Sequence, residues 1–304
     1  MADMLDCLVI GAGPAGLTAA VYLARFKRRF LVLHDDDPRA IWIPRTHNFP
    51  TYPEGITGEE LMARMTAQAE RYGAEVRLAE VESLRPEDGG FTAGTAAGPV
   101  RARTVLLATG VKDAEPALPD MFDAVKRGLL RICPICDAYE TSGGAVGVIG
   151  NGEKGAREAM FLRTYSDQIT LIHVGEPSNL PDDHRRRLRE AGIDVIDTPI
   201  DEVVVERDRI AAFGFNGVRR TFDTVYSALG SAPRAGLAIQ AGAALAEDGC
   251  LAVDDHQRTS VPGLYAAGDL VKGLNQITIS MAEAAIAATD IHNRLRQEAG
   301  QVAP

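Results

Sequence analysis

The stretch LDCLVIGAGPAGLTAA, residues 5–20, decides the fold. Residues 5–10 form an apolar run, Gly11, Gly13 and Gly16 then fall in a G-x-G-x-x-G spacing, and an alanine-rich apolar stretch continues to Phe26. That order predicts a buried strand, a tight glycine turn and a helix, and the apolar residues 30–33 close a βαβ unit of about the usual 30 residues. Glycines in such a turn let the backbone approach a pyrophosphate, while the helix N-terminus supplies N–H donors and positive potential. An acidic residue for the ribose hydroxyls is expected roughly 20 positions beyond the last glycine. That count falls near Asp36, where Asp35, Asp36 and Asp37 stand together, and it does not choose among them.

The opening pattern recurs. Residues 145–149 are apolar, Gly150, Gly152 and Gly155 follow, residues 156–165 look helical and 169–173 look like a strand. A second dinucleotide-binding unit is therefore expected, and the acidic-residue count now lands on Glu176. A glutamate there would accept from an unphosphorylated ribose and repel a 2′-phosphate, or would simply be a solvated loop carboxylate. Too few residues remain after Ala246 to build a third domain of the usual ~100. The expected fold is α/β, with two Rossmann-like domains, the second inserted into the first: residues 1–114 and 246–304 form the outer domain and 115–245 the inserted one. Between the motifs the patterning predicts a helix over 58–72, strands over 76–84 and 91–103, a basic helix over 182–191, strands over 203–206, 210–215 and 221–226, and a long amphipathic helix over 277–296. The proline-rich residues 38–53 read as a loop of binding length, and 112–119 and 228–233 as linkers.

Composition excludes several functions. The 304 residues carry 32 Lys plus Arg against 42 Asp plus Glu, a net charge of −10, which argues against a nucleic acid partner or an anionic membrane surface. No apolar run approaches the ~20 residues needed to span a bilayer, and the N-terminus does not read as a signal peptide, so a cytoplasmic location is expected. Of the four cysteines, Cys133 and Cys136 are two residues apart, at a predicted helix start that lowers a thiolate pKa and permits a redox disulfide. Zinc would need two further ligands, and neither Cys7, Cys250 nor the six histidines supply a partnering spacing, so no metal is expected. Asp137 could protonate a departing thiolate or a reacting flavin, or be an ordinary helix N-terminal acid. Gly268 and Asp269 follow an apolar strand; the aspartate could accept from a ribityl hydroxyl, or could be only a cap.

Taken together, GAGPAG at 11–16, ATG at 108–110, CPICD at 133–137, GNG at 150–152 and AAGD at 266–269 resemble the low-molecular-weight bacterial thioredoxin reductases, over nearly the whole chain. The resemblance implies FAD in the split outer domain, a nicotinamide nucleotide in the inserted one, and a homodimer. For the cofactor it implies Pro14 and Ala15 in the glycine turn, Thr109 and Gly110, Asn48 beside the isoalloxazine, Val81 by the adenine, and Gln276 and Ile277 at the flavin's far edge. It further implies that Cys136 attacks the flavin, Cys133 exchanges with the partner disulfide and Asp137 acts as the acid.

One departure matters. Where that family holds the 2′-phosphate of NADPH with His-Arg-Arg-x-x-x-Arg, this chain has HVGEPSN at 173–179. Without guanidinium groups no bidentate phosphate contact forms, and each is worth about 1.5–3 kcal/mol. Efficient use of NADPH is not expected, while NADH stays compatible. Arg185, Arg186 and Arg187 belong to the following helix and are not expected to substitute. Three readings follow. The first is an FAD-dependent disulfide oxidoreductase acting on a thioredoxin-like protein or a small dithiol or disulfide. The second is an FAD-dependent thiol oxidase passing electrons to oxygen. The third is a non-catalytic flavin- or nucleotide-binding sensor, against which the Cys133 pair and Asp137 argue.

Overall fold

A computed structural model describes residues 4–118, 124–207 and 209–301. The expected linker end at Pro119 and the chain ends Met1 and Pro304 lie outside the described residues. The chain divides into two compact units, one of Met1–Ile41, Gly58–Lys112 and Ala232–Pro304, the other of Trp42–Thr57 and Asp113–Ser231.

In the first unit β1 (Leu5–Ile10) is buried from Cys7 onward, as a strand covered on both faces must be. The turn leads into α1 (Pro14–Arg25), whose Pro14 sits at the helix start, where a missing N–H breaks no helical bond. Then come β2 (Phe30–His34), α2 (Gly58–Arg71), β3 (Val76–Leu78), β4 (Val81–Glu87), β5 (Gly90–Thr95) and β6 (Gly98–Leu107). Strands β3, β2, β1 and β6 run parallel, and β5 and β4 extend the sheet antiparallel. The single strand expected over 91–103 is instead a hairpin, because Gly98 takes φ +114°, a conformation that favours glycine, and reverses the chain.

After β7 (Val111–Asp113) the second unit supplies α3 (Pro134–Asp137), β8 (Ala145–Gly150), α4 (Gly152–Leu162), β9 (Gln168–His173), α5 (Asp182–Glu190), β10 (Asp194–Ile196), β11 (Glu202–Glu206), β12 (Arg209–Phe215), β13 (Val218–Thr221) and β14 (Thr224–Ala228). Strands β10, β9, β8 and β14 make a parallel sheet, and β11, β12 and β13 an antiparallel one. The one strand expected over 221–226 is two. The chain turns at Phe222 and Asp223, where Asp223 N–H donates to Ala145 O (2.8 Å) and its Oδ2 accepts from Ala145 N–H (2.9 Å).

The chain then passes through β15 (Ser231–Pro233), α6 (Gly236–Gln240), β16 (Leu264–Ala266) and α7 (Ile277–Glu298). Contacts place the return to the first unit at Ala232 rather than near Ala246. The reason is α6, too short to show a helical period: Ala235, Ala238 and Ala241 enter the core with Val81 and Leu84, and Gln240 Oε1 accepts from Leu84 N–H (3.1 Å). β16 extends the sheet beside the C-terminal half of β6, and α7 packs on α1.

One buried polar group ties α7 to β16. Asp290 accepts from Tyr265 Oη (2.8 Å) and from Arg258 Nε (2.7 Å) and Nη2 (2.5 Å). Burial alone would push Asp290 up, but the bonds from Arg258 and Tyr265 outweigh it and hold the carboxyl below the usual carboxylate range. A carboxylate depressed in this way stabilises the fold above its ordinary pKa and loses that contribution as pH falls through the depressed value. Asp290→Asn is expected to cost about 1–3 kcal/mol at neutral pH and to flatten the acid limb of the stability profile. Urea unfolding from neutral pH into the acid range reads both effects.

The glycine turn yields a second expectation. A Cβ on Gly16 would collide with the backbone oxygen of Gly11, whereas one on Gly13 would meet no atom within 4 Å. Gly16→Ala should therefore destabilise the fold by about 1–3 kcal/mol and Gly13→Ala by much less, as read from paired urea curves.

Candidate active site

In the first unit the glycine turn is close-packed on one side and open on the other. A Cβ on Gly11, which has φ +109°, would strike Ala108 O, and Gly16 abuts Gly11, but Gly13 borders open space. Pro14 and Ala15 open α1, which has neither a capping side chain nor an acidic residue in its first turn. Its amide donors and positive end are left for an anion. Thr18 Oγ1, one turn further in, is buried without a hydrogen-bond partner. An orphaned hydroxyl, an open glycine and an uncapped helix start fit the pyrophosphate end of a dinucleotide.

The remaining residues expected at the cofactor are distributed as follows. Asp35 and Asp37 both take Arg234, at 2.9 and 3.0 Å, while Asp36 is exposed at φ +64°. Thr109 Oγ1 donates to Arg234 O (2.9 Å), and Gly110, at φ +65°, accepts from Arg234 N–H (2.9 Å). Val81 opens β4 with its side chain in the core. Gly268 N–H donates to Glu283 Oε2 (2.7 Å), and Asp269 Oδ2 accepts from Arg39 Nη1 (3.1 Å). Gln276 is the N-cap residue of α7 and Ile277 its first residue, again with no capping side chain and no acid in the first turn. Arg39, Arg234 and Glu283 carry no local signal in the sequence; only the fold brings them to these partners.

In the second unit Cys133 and Cys136 are joined in a disulfide, Cα to Cα 5.3 Å. Cys133 is the N-cap residue of α3 and Pro134 its first residue; Cys136 N–H donates to Cys133 O (2.9 Å). The helix expected after the pair is only one turn long, so the helix dipole lends little to a thiolate there. Asn48 accepts from Thr46 Oγ1 (2.7 Å) and donates through Nδ2 to Ile135 O, inside the C-x-x-C (3.2 Å). Asp137 is held from two sides, by Tyr226 Oη on Oδ1 (2.7 Å) and Arg131 Nη1 on Oδ2 (2.9 Å). Burial pushes its carboxyl up, and Tyr226 and Arg131 offset this only in part. Sequence reading finds Asp137 but neither of its holders, since a lone arginine and a lone tyrosine announce nothing.

The second glycine turn is packed like the first but satisfied from within. A Cβ on Gly150 would lie 2.5 Å from Gly155 Cα, and one on Gly152 would lie 2.9 Å from Asn179 O. Gly152 N–H, at the start of α4, donates to His173 Nε2 (3.2 Å). His173 is buried, with Nδ1 3.1 Å from Asp197 Oδ1 though not aligned to donate to it. Arg185 grips Asp197 through Nη1 (2.7 Å) and Nη2 (2.9 Å), and turns Nε to Leu180 O (3.1 Å) and Nη2 to Pro177 O (2.9 Å). Arg185 holds the Asp197 carboxyl below the usual range. Glu176 is exposed and precedes the short turn Pro177–Asn179. Among the described residues no cluster of His, Cys, Asp and Glu is arranged to hold a metal ion, and no helix is long and apolar enough to cross a membrane.

Comparison with known proteins agrees with this construction. Residues 5–284 match the family model described as pyridine nucleotide-disulphide oxidoreductase. A thioredoxin reductase of Treponema pallidum is 30% identical over 293 residues, covering 93% of this chain and 94% of the relative. The thioredoxin reductase from Streptococcus pyogenes has a TM-score of 0.89 at 26% identity, covering 97% of this chain and 99% of its own. The crystal structure of HlmI also has a TM-score of 0.89, at 30% identity, covering 99% of this chain and 95% of its own. With a family model spanning both glycine turns and the bonded cysteine pair, the chain belongs to the pyridine nucleotide-disulphide oxidoreductase family and is an oxidoreductase of the thioredoxin reductase-like kind.

Proposed function

We propose that the chain exchanges electron pairs between a bound FAD, the Cys133–Cys136 disulfide and an external thiol or disulfide, carried by a thioredoxin-like protein or a small dithiol. The observation that carries this reading is the bonded pair at Cys133 and Cys136 with the clamped carboxyl of Asp137 directly after it. FAD, when bound, supplies a two-electron carrier. In this reading Gly11, Gly13, Pro14, Ala15 and Gly16 present the start of α1 to its pyrophosphate, Asp36 is the acid left for the ribose, and Asp269 accepts from the ribityl chain. Gln276 and Ile277 bring the uncapped end of α7 toward the flavin ring, and Asn48 holds the backbone of the C-x-x-C in place.

In the reductive direction the incoming electron pair breaks the disulfide at Cys136, and Cys133 then attacks the partner disulfide. In the oxidative direction an external thiolate attacks Cys133 and Cys136 departs as thiolate. In either direction Asp137 gives or takes the accompanying proton. A homodimer is the assembly the family resemblance implies, and a cytoplasmic location is the reading that goes with it.

A pyridine nucleotide fits the second unit poorly. Gly152 N–H is already spent on His173, Asn179 stands against the glycine turn, and Arg185 is committed to Asp197, Leu180 and Pro177. NADPH is therefore not proposed as an efficient donor, and Glu176 is no more than compatible with NADH. The self-satisfied turn favours a second reading, an FAD-dependent thiol oxidase that passes electrons from an external dithiol to oxygen.

Anaerobic titration of the flavin-loaded protein with NADPH, NADH and dithiothreitol, read by flavin absorbance, separates these readings. The expected result is bleaching by the dithiol and none by NADPH at micromolar concentration. Rapid bleaching by NADPH would overturn the donor assignment, oxygen uptake with dithiol alone would select the oxidase, and failure to bind FAD would defeat both. The flavin site is tested separately by Gly13→Val. It should lower FAD affinity by at least about tenfold, equivalent to ~1.4 kcal/mol, in a fluorescence titration, with far less effect on the urea midpoint than a substitution at Gly16.

A further inference from the structure

Asp137 ends a one-turn helix, and a segment that short does not fix a carboxyl by its own packing. What fixes it lies outside α3. Arg131 N–H donates to Val225 O (2.9 Å) and Ser227 N–H to Arg131 O (2.8 Å), so Arg131 pairs with Tyr226 as one extra parallel rung beside β14. From these two paired positions both side chains reach the same carboxyl. Tyr226 Oη donates to Oδ1 at 2.7 Å, and Arg131 Nη1 reaches Oδ2 at 2.9 Å and the Asp137 carbonyl oxygen at 3.4 Å. Tyr226 is wholly buried, with the rest of its ring in the core of the second unit. Phenylalanine would fill the same space, so the hydroxyl is a polar group in the interior; it donates to this carboxylate and also meets the Thr141 side chain.

We propose that Arg131 and Tyr226 are positioning residues for the redox disulfide: they hold the Asp137 carboxyl in one orientation from the sheet edge and set the pH range over which it exchanges a proton with Cys136. The proposal rests on the reading of Asp137 as the proton carrier of the Cys133 pair. The step is balanced as follows. An external thiolate attacks Cys133 Sγ, a new S–S bond forms, and the Cys133–Cys136 bond breaks with its electron pair going to Cys136. Protonated Asp137 then gives Cys136 its proton and is left as carboxylate. In this mixed disulfide the external sulfur has been oxidised and Cys136 reduced; a second external thiolate releases Cys133 as thiolate and leaves the external pair as a disulfide. Burial favours the protonated acid, while Tyr226 and Arg131 favour the carboxylate that remains after transfer. The other charged group acting on Asp137 is Glu140 in the following turn, and α4, which packs against α3, carries Glu153, Lys154, Arg157 and Glu158. None of these is changed by the variants below.

The test follows the opening of the disulfide by dithiothreitol in the full-length, flavin-loaded protein without oxygen. Samples are acid-quenched and alkylated, and thiols counted by mass; Cys7 and Cys250 add the same background throughout. Because the ionisation of dithiothreitol is common to all proteins, the ratio of variant to wild-type rate against pH isolates the contribution of Asp137. In the wild type the assisted rate should fall as pH rises through the Asp137 titration. Tyr226→Phe should move that fall upward by about one pH unit, and Arg131→Gln in the same direction, since each removes a bond to the charged form. Over the intervening range these variants should open the disulfide up to about tenfold faster than wild type, and Arg131→Lys should restore part of the shift. Asp137→Asn should abolish the limb. If both Tyr226→Phe and Arg131→Gln superimpose on wild type while Asp137→Asn loses the limb, the positioning proposal is wrong and the role of Asp137 stands. If Asp137→Asn also superimposes, both fail.

Discussion

The contact on which the first unit depends is backbone against backbone. Gly11 lies against Ala108 and Gly16 lies against Gly11, with no room for a side chain at either approach. That closeness brings the start of α1 to the carboxyl ends of β1 and β6, the place where doubly wound sheets receive ligands. It also explains why glycine is needed twice for packing and once for access. Gly11 and Gly16 are filled by neighbouring backbone, whereas Gly13 faces empty space. The second unit repeats the packing, with Gly150 and Gly155 touching across β8 and α4.

The two turns differ in what meets their amides. In the first, α1 begins without a cap and Thr18 Oγ1 is left without a partner, which is costly in a buried position unless a ligand satisfies it. In the second, His173 accepts from Gly152, and Asp197 and Arg185 hold the surrounding loop with four hydrogen bonds from one guanidinium. A ligand accepting from Gly152 N–H would have to displace His173 Nε2. The same glycine spacing packs strand against helix in both units, and the two turns differ at their middle glycine: a Cβ on Gly13 would meet nothing within 4 Å, one on Gly152 would meet Asn179 O at 2.9 Å.

This bears on how much was legible in the sequence. Strand β1, its glycine turn, the second copy, the cysteine pair and the long final helix are local patterns, and each is found where the residues place it. Two strands extend over less sequence than their apolar residues suggest. Gly98-Pro99 marks a turn inside residues 91–103 and divides them into a hairpin, whereas the turn at Phe222 and Asp223, which sends β13 and β14 into different sheets, has no proline or Asn-Gly to mark it. The return to the first unit at Ala232 has no sequence signal because α6 buries one alanine and its two flanking residues another two, with no periodic stripe. The charged ties were out of reach for a different reason. Arg39 to Asp269, Arg234 to Asp35 and Tyr226 to Asp137 join positions far apart in sequence, and a single arginine or tyrosine looks like any other until the sheet aligns it.

The position of the acid adds a constraint on direction. Opening the disulfide with an external thiol consumes a proton at Cys136, and closing it releases one. Burial favours the protonated form of Asp137, while Tyr226 and Arg131 favour its carboxylate, and burial is the larger influence. If Asp137 is the proton carrier of the pair, the two influences act on opposite halves of the exchange. If the second turn takes no pyridine nucleotide, an external dithiol is left as a source of electrons, and net oxidation of that dithiol through the flavin needs an acceptor other than a disulfide. Under that condition oxygen would satisfy the balance with no further site on the protein.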